Sequence, residues 1–248
     1  MKLGGILVLA AALVLTGCTQ APPPAIPDIQ AKADAFSRQV ADEKAAAEKK
    51  HVEDTTVKVE YPSKSPLRVL FAGDSLTAGY ATTAPALAFR ELVAAELGKT
   101  GAVAQTVAGK PGQTTAEAAP EVAAAGADFN LVVVELGTND VIKSNPATFT
   151  TDYKALLASI RAKSPTAPMV CLGGWNSAAK AKAFDAVIES ECTAAGGKYR
   201  VLSGKFVVEA NRWANGLLPN GTKADNFHPS DKGHAVIAQQ VMSAIRFS

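Results

Sequence analysis

The sequence predicts an α/β fold in which a five-stranded parallel sheet carries helices on both faces. From residue 66 onwards, short apolar runs alternate with helical segments, and this pairing recurs five times. Such alternation is typical of parallel sheets, because a crossover must separate each strand from its parallel successor. The hydrophobic content of 48% in 248 residues suits one buried core, or one core plus an appendage, and excludes a mostly disordered chain.

The five predicted strands are short and mostly apolar. The first, from Arg68 to Ala72, and the strongest, from Leu131 to Leu136, have the pattern of buried strands. The strands are predicted over residues 68–72, 102–107, 131–136, 169–172 and 199–202.

Helical segments follow the strands. One of them begins soon after Pro146 and ends before Pro165, because proline opens helices and interrupts them. The helices are predicted over residues 84–97, 114–125, 147–163, 177–195 and 231–246. Ligands of such folds bind beyond the carboxyl ends of the strands, so catalytic residues are expected just after strands.

The N-terminus has the parts of a secretory signal. Lys2 precedes the apolar run Ile6–Leu15, which is too short to span a bilayer comfortably. The ending Leu15-Thr16-Gly17-Cys18 resembles a bacterial lipobox, which implies removal of residues 1–17 and acylation of Cys18. The alternative is a plain signal peptide with an incidental cysteine. The lipobox interpretation predicts an exported protein, anchored by lipid to the bacterial cell membrane and facing outward.

Residues 18–65 are predicted to be a linker and a helical stalk. Pro22–Pro24 and Pro27 make a stiff spacer, and residues 30–54 are rich in Ala, Lys and Glu, which favour helix. The apolar stripe of this helix is thin, so a solvated stalk is favoured over a partner-binding or coiled helix. The enzyme-like domain is expected over residues 66–248.

Charge and cysteine content restrict the partners and the compartment. The formal net charge is +2, and loss of Lys2 with the signal leaves +1, so nothing indicates nucleic-acid binding. We expect a monomer. Once exported, Cys171 and Cys192 can form a disulfide, although two separately buried thiols are the alternative.

Three short motifs stand where chemistry is expected. They are Gly73-Asp74-Ser75-Leu76 after the first strand, Gly137-Thr138-Asn139-Asp140 after the third, and Asp225-Asn226-Phe227-His228-Pro229 before the last helix. A serine hydroxyl needs a base, and His228 is the best of the chain's three histidines, since His51 lies in the stalk and His234 in the last helix. Asp225 is placed to fix the imidazole tautomer. Each motif alone is also an ordinary turn or helix cap, but their order and placement favour a catalytic site.

Together with the Gly-containing stretch Lys110-Pro111-Gly112-Gln113-Thr114-Thr115 after the second strand, these motifs resemble the four blocks of the SGNH (GDSL-like) hydrolase family, over the whole of residues 66–248. The resemblance implies a three-layer, flavodoxin-like α/β/α sandwich and a triad of Ser75, His228 and Asp225. It also implies an oxyanion hole formed by Ser75, Gly112 and Asn139. The second block departs from the family, because Pro111 stands where serine is frequent. Gly109 therefore competes with Gly112 for the oxyanion role.

The resemblance implies a serine esterase that works through an acyl-Ser75 intermediate, with no metal and no organic cofactor. Location alone suggests acyl or acetyl esters of envelope glycans as substrates, followed by lipid esters or thioesters. An O-acyltransferase with the same triad and a non-catalytic surface-binding lipoprotein are the alternatives. Trp175 and Asn176 follow the fourth strand and are candidates to line the substrate pocket, although Trp175 suits the core equally well. Arg212 and Trp213 are weaker candidates for substrate contact.

Overall fold

The computed structural model describes residues 27–247. The predicted signal peptide, the lipidation site Cys18 and the first prolines of the linker lie outside the described residues. The chain divides into two compact units, one ending at Lys49 and one beginning at Lys50.

Helix α1, Pro27–Thr55, contains the predicted helix of residues 30–54. Its side chains are exposed over residues 30–54, and i,i+4 bonds such as Gln39 to Glu43 link polar side chains along its surface. In the second unit, Lys198 and Arg200 donate to the carbonyls of Asp54 and Thr55, which satisfies two acceptors at the end of the helix. Within the described part of the chain, no helix combines the length and the apolar content that a membrane span requires.

The central sheet has five parallel strands in the order β3-β2-β4-β5-β6. The strands are β2 Leu67–Gly73, β3 Val103–Ala108, β4 Leu131–Glu135, β5 Met169–Leu172 and β6 Lys198–Arg200. Counted along the chain within this sheet, the order is 2-1-3-4-5, the flavodoxin-like arrangement. The predicted α/β class and five-stranded parallel sheet are confirmed.

Helices and small strands complete the domain. The helices are α2 Ser75–Ala78, α3 Phe89–Gly98, α4 Thr115–Ala124, α5 Asp140–Lys143, α6 Pro146–Lys163, α7 Ala178–Ala194, α8 Ser203–Phe206 and α9 Asp231–Ser243. Two 3₁₀ turns span Pro85–Leu87 and Glu209–Asn211. Two pairs of short strands lie outside the central sheet, β1 Val57–Val59 parallel to β9 Ile245–Phe247, and β7 Gly216–Leu217 antiparallel to β8 Lys223–Ala224.

Each face of the sheet has its own core. Along β2, Val69 and Phe71 face the core that α3 and α9 cover, whereas Leu70 and Ala72 face the core under α4, α6 and α7. This alternation follows from the two-residue period of a strand, and it explains why strands buried on both faces are apolar throughout. Phe71 is fully buried, so its truncation to alanine is expected to cost about 3–5 kcal/mol.

The domain includes more of the chain than residues 66–248. Val57 and Val59 of β1 are buried in the α3–α9 core, so this segment packs with the domain rather than serving as linker. The last helix, predicted to reach residue 246, ends at Ser243 because β9 pairs with β1. Of the two alternatives for the cysteines, the structure has the disulfide, which joins Cys171 on β5 to Cys192 on α7.

Candidate active site

The candidate site lies at the point where the strand order reverses. From β2 the chain crosses to β3 on one side, and from β4 it crosses to β5 on the other side. Open α/β sheets bind ligands at such a reversal, which here is the crevice between the carboxyl ends of β2 and β4. Ser75 follows β2 and Asn139 follows β4, so the fold brings two of the predicted motifs to this crevice.

A tight turn presents Ser75. A Cβ atom at Gly73 would lie 1.9 Å from Thr77 Oγ1, so only glycine fits between β2 and α2. Asp74 caps α2 by accepting the Leu76 backbone N–H at 3.1 Å, and Gly79 ends the helix with φ +80°. The sequence Gly-Asp-Ser-Leu therefore builds a one-turn helix with the serine at its first position.

A second turn presents His228. Asp225 Oδ1 accepts the backbone N–H groups of Phe227 at 3.1 Å and His228 at 2.9 Å, and its Oδ2 lies 2.6 Å from His228 Nδ1. Asn226, which follows Asp225, has φ +54°, a conformation that asparagine tolerates better than most residues. Burial alone would raise the pKa of Asp225, but hydrogen bonds from His228 outweigh it, so this pKa is lowered. Asp225 thus both shapes the loop and orients the imidazole.

The two turns meet at the serine. His228 Nε2 lies 3.0 Å from Ser75 Oγ, which is closer than the other hydroxyl acceptor, Asp74 Oδ1 at 3.4 Å. The imidazole is also packed against the ring of Tyr80, with ring centroids 4.4 Å apart. A continuous hydrogen-bonded chain therefore runs from Asp225 through His228 to Ser75, the arrangement by which a carboxylate and an imidazole activate a serine.

Backbone donors for an oxyanion are present on two loops. Within the described chain, the N–H groups of Ser75 and Gly112 donate to no protein acceptor. Gly112 has φ +84° and open space around its α-carbon, whereas a Cβ at Gly109 would lie 1.7 Å from the Gly73 carbonyl oxygen. Gly109 is thus needed for packing against the nucleophile turn, whereas Gly112 has no such steric constraint and its N–H lacks a protein acceptor within the described chain.

Asn139 is in the crevice, but its amide is already engaged. Its Nδ2 donates to Asp74 Oδ2 at 2.9 Å and to the Gln113 carbonyl at 3.0 Å. The Gln113 contact places the Gly112 loop beside Asn139, and Lys143 secures that loop by donating to the Gly112 carbonyl. Both amide hydrogens of this predicted oxyanion donor therefore have acceptors within the protein.

Behind the serine lies a pair of buried carboxyl groups that the sequence analysis did not identify. Glu135, the last residue of β4, accepts the Thr77 hydroxyl at 2.9 Å and the Asp74 backbone N–H at 3.4 Å, and its Oε1 has no partner among the described residues. Burial raises the pKa of Asp74 to about 6, and burial together with the Asp74 charge raises that of Glu135 well above its ordinary range. The available signal was a charged residue inside a strand that is otherwise apolar.

The two predicted pocket residues are buried. Trp175 is fully buried in the α3–α9 core, and its indole N–H donates to the Phe227 carbonyl at 2.8 Å. Asn176 is also buried, with 4% of its surface exposed, and its side chain accepts the Ser177 backbone N–H. Trp175 therefore takes the core position that was its alternative, and both side chains form hydrogen bonds within the protein.

The remaining candidates also contact the protein itself. Arg212 donates to the Asn226 carbonyl, and Trp213 donates to the Ala81 carbonyl. His234, the rival base in the sequence, is fully buried and bonded to the backbones of Phe89 and Tyr80. The structure therefore brings His228, and not His234, to the serine.

The sequence matches the GDSL-like Lipase/Acylhydrolase family over residues 71–236. No curated protein sequence matches this chain closely enough to count as a relative.

Solved structures of esterases and lipases share the fold. The psychrotrophic esterase EstA from Pseudoalteromonas sp. has 18% identity and a TM-score of 0.56 over 72% of this chain and 96% of that one. Phospholipase A1 from Streptomyces albidoflavus NA297 has 17% identity and a TM-score of 0.57 over 73% and 100% of the two chains. A family two carbohydrate esterase from Clostridium thermocellum has 16% identity and a TM-score of 0.54 over 73% of this chain and 63% of that one. At these identities the likeness shows the fold.

The family match runs from the first strand of the central sheet into its last helix, and it includes all the motifs that build the crevice. Because this match covers more than half of the chain, the chain belongs to the GDSL-like lipase/acylhydrolase family of ester hydrolases.

Proposed function

We propose that Ser75 is the nucleophile of a serine esterase, with His228 as general base and acid and Asp225 as the group that orients it. As Ser75 Oγ attacks the acyl carbon of an ester, its proton passes to His228 Nε2. The tetrahedral intermediate then collapses, the C–O bond to the alcohol breaks, and the alcohol leaves with the proton from His228. Water repeats the sequence on the acyl-serine and releases the acid.

The negative charge of the tetrahedral intermediate needs donors beside Ser75. In the proposed reaction the backbone N–H groups of Ser75 and Gly112 supply two of them, and the Asn139 amide supplies the third. Because both Asn139 amide hydrogens have protein acceptors, the amide turns to the oxyanion in this reaction as that charge forms.

The observation that carries this proposal is the chain of contacts Asp225–His228–Ser75, at 2.6 and 3.0 Å. A fluorophosphonate probe reacts with serines that have such a base, so it is expected to label the purified full-length protein at Ser75. Ser75→Ala should abolish labelling and lower kcat for a small activated ester by about 10³-fold or more. Ser65→Ala, which removes an exposed serine before β2, is the matched control and should change neither. Retained hydrolysis in Ser75→Ala with normal folding would exclude the proposed nucleophile.

We further propose that the enzyme is exported, anchored by lipid at Cys18, and active on acyl or acetyl esters of envelope glycans or lipids. The lipobox-like sequence supports the anchor, and the Cys171–Cys192 disulfide is in keeping with an oxidising compartment. An anchored enzyme meets envelope esters first, which is the support for this substrate class.

Labelling of cells with an alkynyl fatty acid tests the location. The wild-type protein should take up the label and sediment with membranes, and Cys18→Ala should do neither. Purified enzyme is then offered acetylated envelope polysaccharide and phospholipid. Release of acetate assigns the glycan, release of fatty acid assigns the lipid, and release of neither by an enzyme active on simple esters would refute the substrate class.

A further inference from the structure

We infer that Arg212 and Trp213 are positioning residues that together hold His228 at the Ser75 hydroxyl. This inference rests on the proposed function of the triad. Neither side chain is in direct contact with Ser75, His228 or Asp225 through a hydrogen bond or ring contact that the structure records. Each secures one of the two loops that must meet for the triad to form, and we refer to the two residues as the clamp.

Arg212 holds the loop that carries His228. Its Nη1 donates to the Asn226 carbonyl at 3.0 Å, and its backbone forms an antiparallel bridge with Pro229. The bonded carbonyl belongs to the residue in the left-handed conformation, φ +54°, which is the least favourable backbone of the loop. Arg212 therefore secures the loop on both sides of His228.

The guanidinium of Arg212 is fixed in turn by aromatic rings. It lies over Phe206 at 4.6 Å from the ring centroid, a cation–π geometry. Phe206 packs on Phe227 with centroids 5.6 Å apart, and the Phe227 carbonyl accepts the Trp175 indole N–H. The residue just before His228 therefore belongs to the same aromatic cluster that fixes the Arg212 guanidinium.

Trp213 holds the loop that follows the Ser75 helix. Its indole N–H donates to the Ala81 carbonyl at 2.7 Å, and Ala81 has φ +65°, an uncommon conformation for a residue with a side chain. The preceding residue is Tyr80, whose ring packs on the His228 imidazole at 4.4 Å. By fixing Ala81, Trp213 keeps the Tyr80 ring against the face of His228.

The two loops are far apart in sequence, since 153 residues separate Ser75 from His228. Their 3.0 Å contact therefore depends on tertiary supports, and consecutive residues on one short segment supply a support to each loop. A displacement of about 1 Å between reacting groups can lower a rate by about 10²-fold. Loosening either half of the clamp should accordingly lower the rate of the chemical steps more than it weakens substrate binding.

The test uses two conservative variants of the full-length protein. Arg212→Met keeps the length of the side chain but removes the donor, and Trp213→Phe keeps an aromatic ring but removes the N–H. With a small activated ester each should lower kcat by about 10-fold and change KM by less than about 2-fold, because the geometry of the base and not the binding surface is altered. Arg212→Lys retains a cationic donor and should recover most of kcat.

Tyr61→Phe is the matched control. It also removes an aromatic donor from a backbone carbonyl, that of Leu97, on a side of the domain without triad contacts. It should lower stability slightly and leave kcat unchanged.

A second measurement does not depend on catalysis. The Nδ1–H proton of His228 lies in a short hydrogen bond to Asp225 and is expected to give a far-downfield NMR signal, whose exchange with water would report the order of the loop. Such exchange is governed by local opening of the loop. It should therefore be at least about 10-fold faster in Arg212→Met and Trp213→Phe than in the wild type and Tyr61→Phe. If wild-type protein hydrolyses no ester, the proposed function fails and this exchange rate alone decides on the clamp. Unchanged exchange in both variants overturns the clamp, as does unchanged kcat in an active enzyme.

Discussion

Acid stability is expected to report on His234, the buried histidine that does not touch the serine. His234 Nδ1 accepts the Phe89 backbone N–H at 3.3 Å, and Nε2 donates to the Tyr80 carbonyl at 3.1 Å. One acceptor and one donor fit the neutral ring, whereas a protonated ring would direct a second N–H at the N–H of Phe89. Burial accordingly lowers the pKa of His234 to about 4 from its ordinary value of 6.5.

The size of the effect follows from these two values. The unfolded chain binds a proton at His234 below pH 6.5, and the folded chain does so only below about pH 4. The contribution of neutral His234 to the free energy of unfolding is therefore complete above pH 6.5, and it is lost as the pH falls towards 4. Over that interval it changes by about 1.4 kcal/mol per pH unit, or about 3 kcal/mol in all.

Urea unfolding followed by tryptophan fluorescence at several pH values from 8 to 4 measures this loss. Asp74 and Glu135 also titrate, and their effect on stability has the opposite pH dependence. The wild type is therefore compared with His234→Gln, which keeps both carboxyl groups but has no titrating side chain at position 234. Wild-type protein should be the more stable at pH 8, and its advantage should shrink by about 3 kcal/mol by pH 4. A stability difference that stays constant from pH 8 to 4 would refute the reasoning.

Three further predictions concern the triad, the disulfide and the buried acid pair. Asp225→Asn should lower kcat by about 10⁴-fold in steady-state ester hydrolysis, since the amide favours the wrong imidazole tautomer, and a kcat above a tenth of wild type would contradict that role. Replacing both Cys171 and Cys192 by alanine should lower the free energy of unfolding in urea by about 3 kcal/mol for a sequence separation of 21, and a loss below about 1 kcal/mol would contradict the chain-entropy estimate. The raised pKa of Glu135 means that wild-type protein loses stability as the pH rises above the ordinary carboxyl range. Glu135→Gln should therefore gain stability relative to wild type between pH 5 and 8, and a pH-independent difference in urea unfolding would argue that Glu135 is already ionised.

The central sheet and the turns that present Ser75 and His228 could be predicted from the sequence because their signals are local. A buried parallel strand such as Leu131–Glu135 is an apolar run, and the tight turn at Gly73 needs a glycine whatever its surroundings. The motifs then needed only the rule that ligands bind at the carboxyl ends of strands. That rule predicts that Ser75 and Asn139 lie at one crevice.

Features that depend on distant partners could not be predicted in this way. Strand β1 has three residues, Val57–Val59, and its partner strand β9 lies at the other end of the chain, so no local pattern distinguishes it from a linker. Trp175 follows a strand, as Ser75 and Asn139 do, but its indole N–H donates to the Phe227 carbonyl, which lies 52 residues away. Such choices are made by tertiary packing, which a local sequence pattern does not contain.

The hydrogen bonds that Asn139 donates to Asp74 and Gln113 bear on how the proposed site would discriminate between ground state and transition state. In the proposed reaction an ester carbonyl would compete with Gln113, itself a neutral carbonyl, for the Asn139 N–H, and such an exchange gains little. The tetrahedral intermediate carries a full negative charge on that oxygen, and a charged acceptor forms a hydrogen bond about twice as strong as a neutral one. Asn139 would then stabilise the transition state in preference to the bound ester, and only such differential binding raises kcat. In the proposed reaction the amides of Ser75 and Gly112 would hold the carbonyl in place, and substrate orientation and charge stabilisation would then fall to different donors.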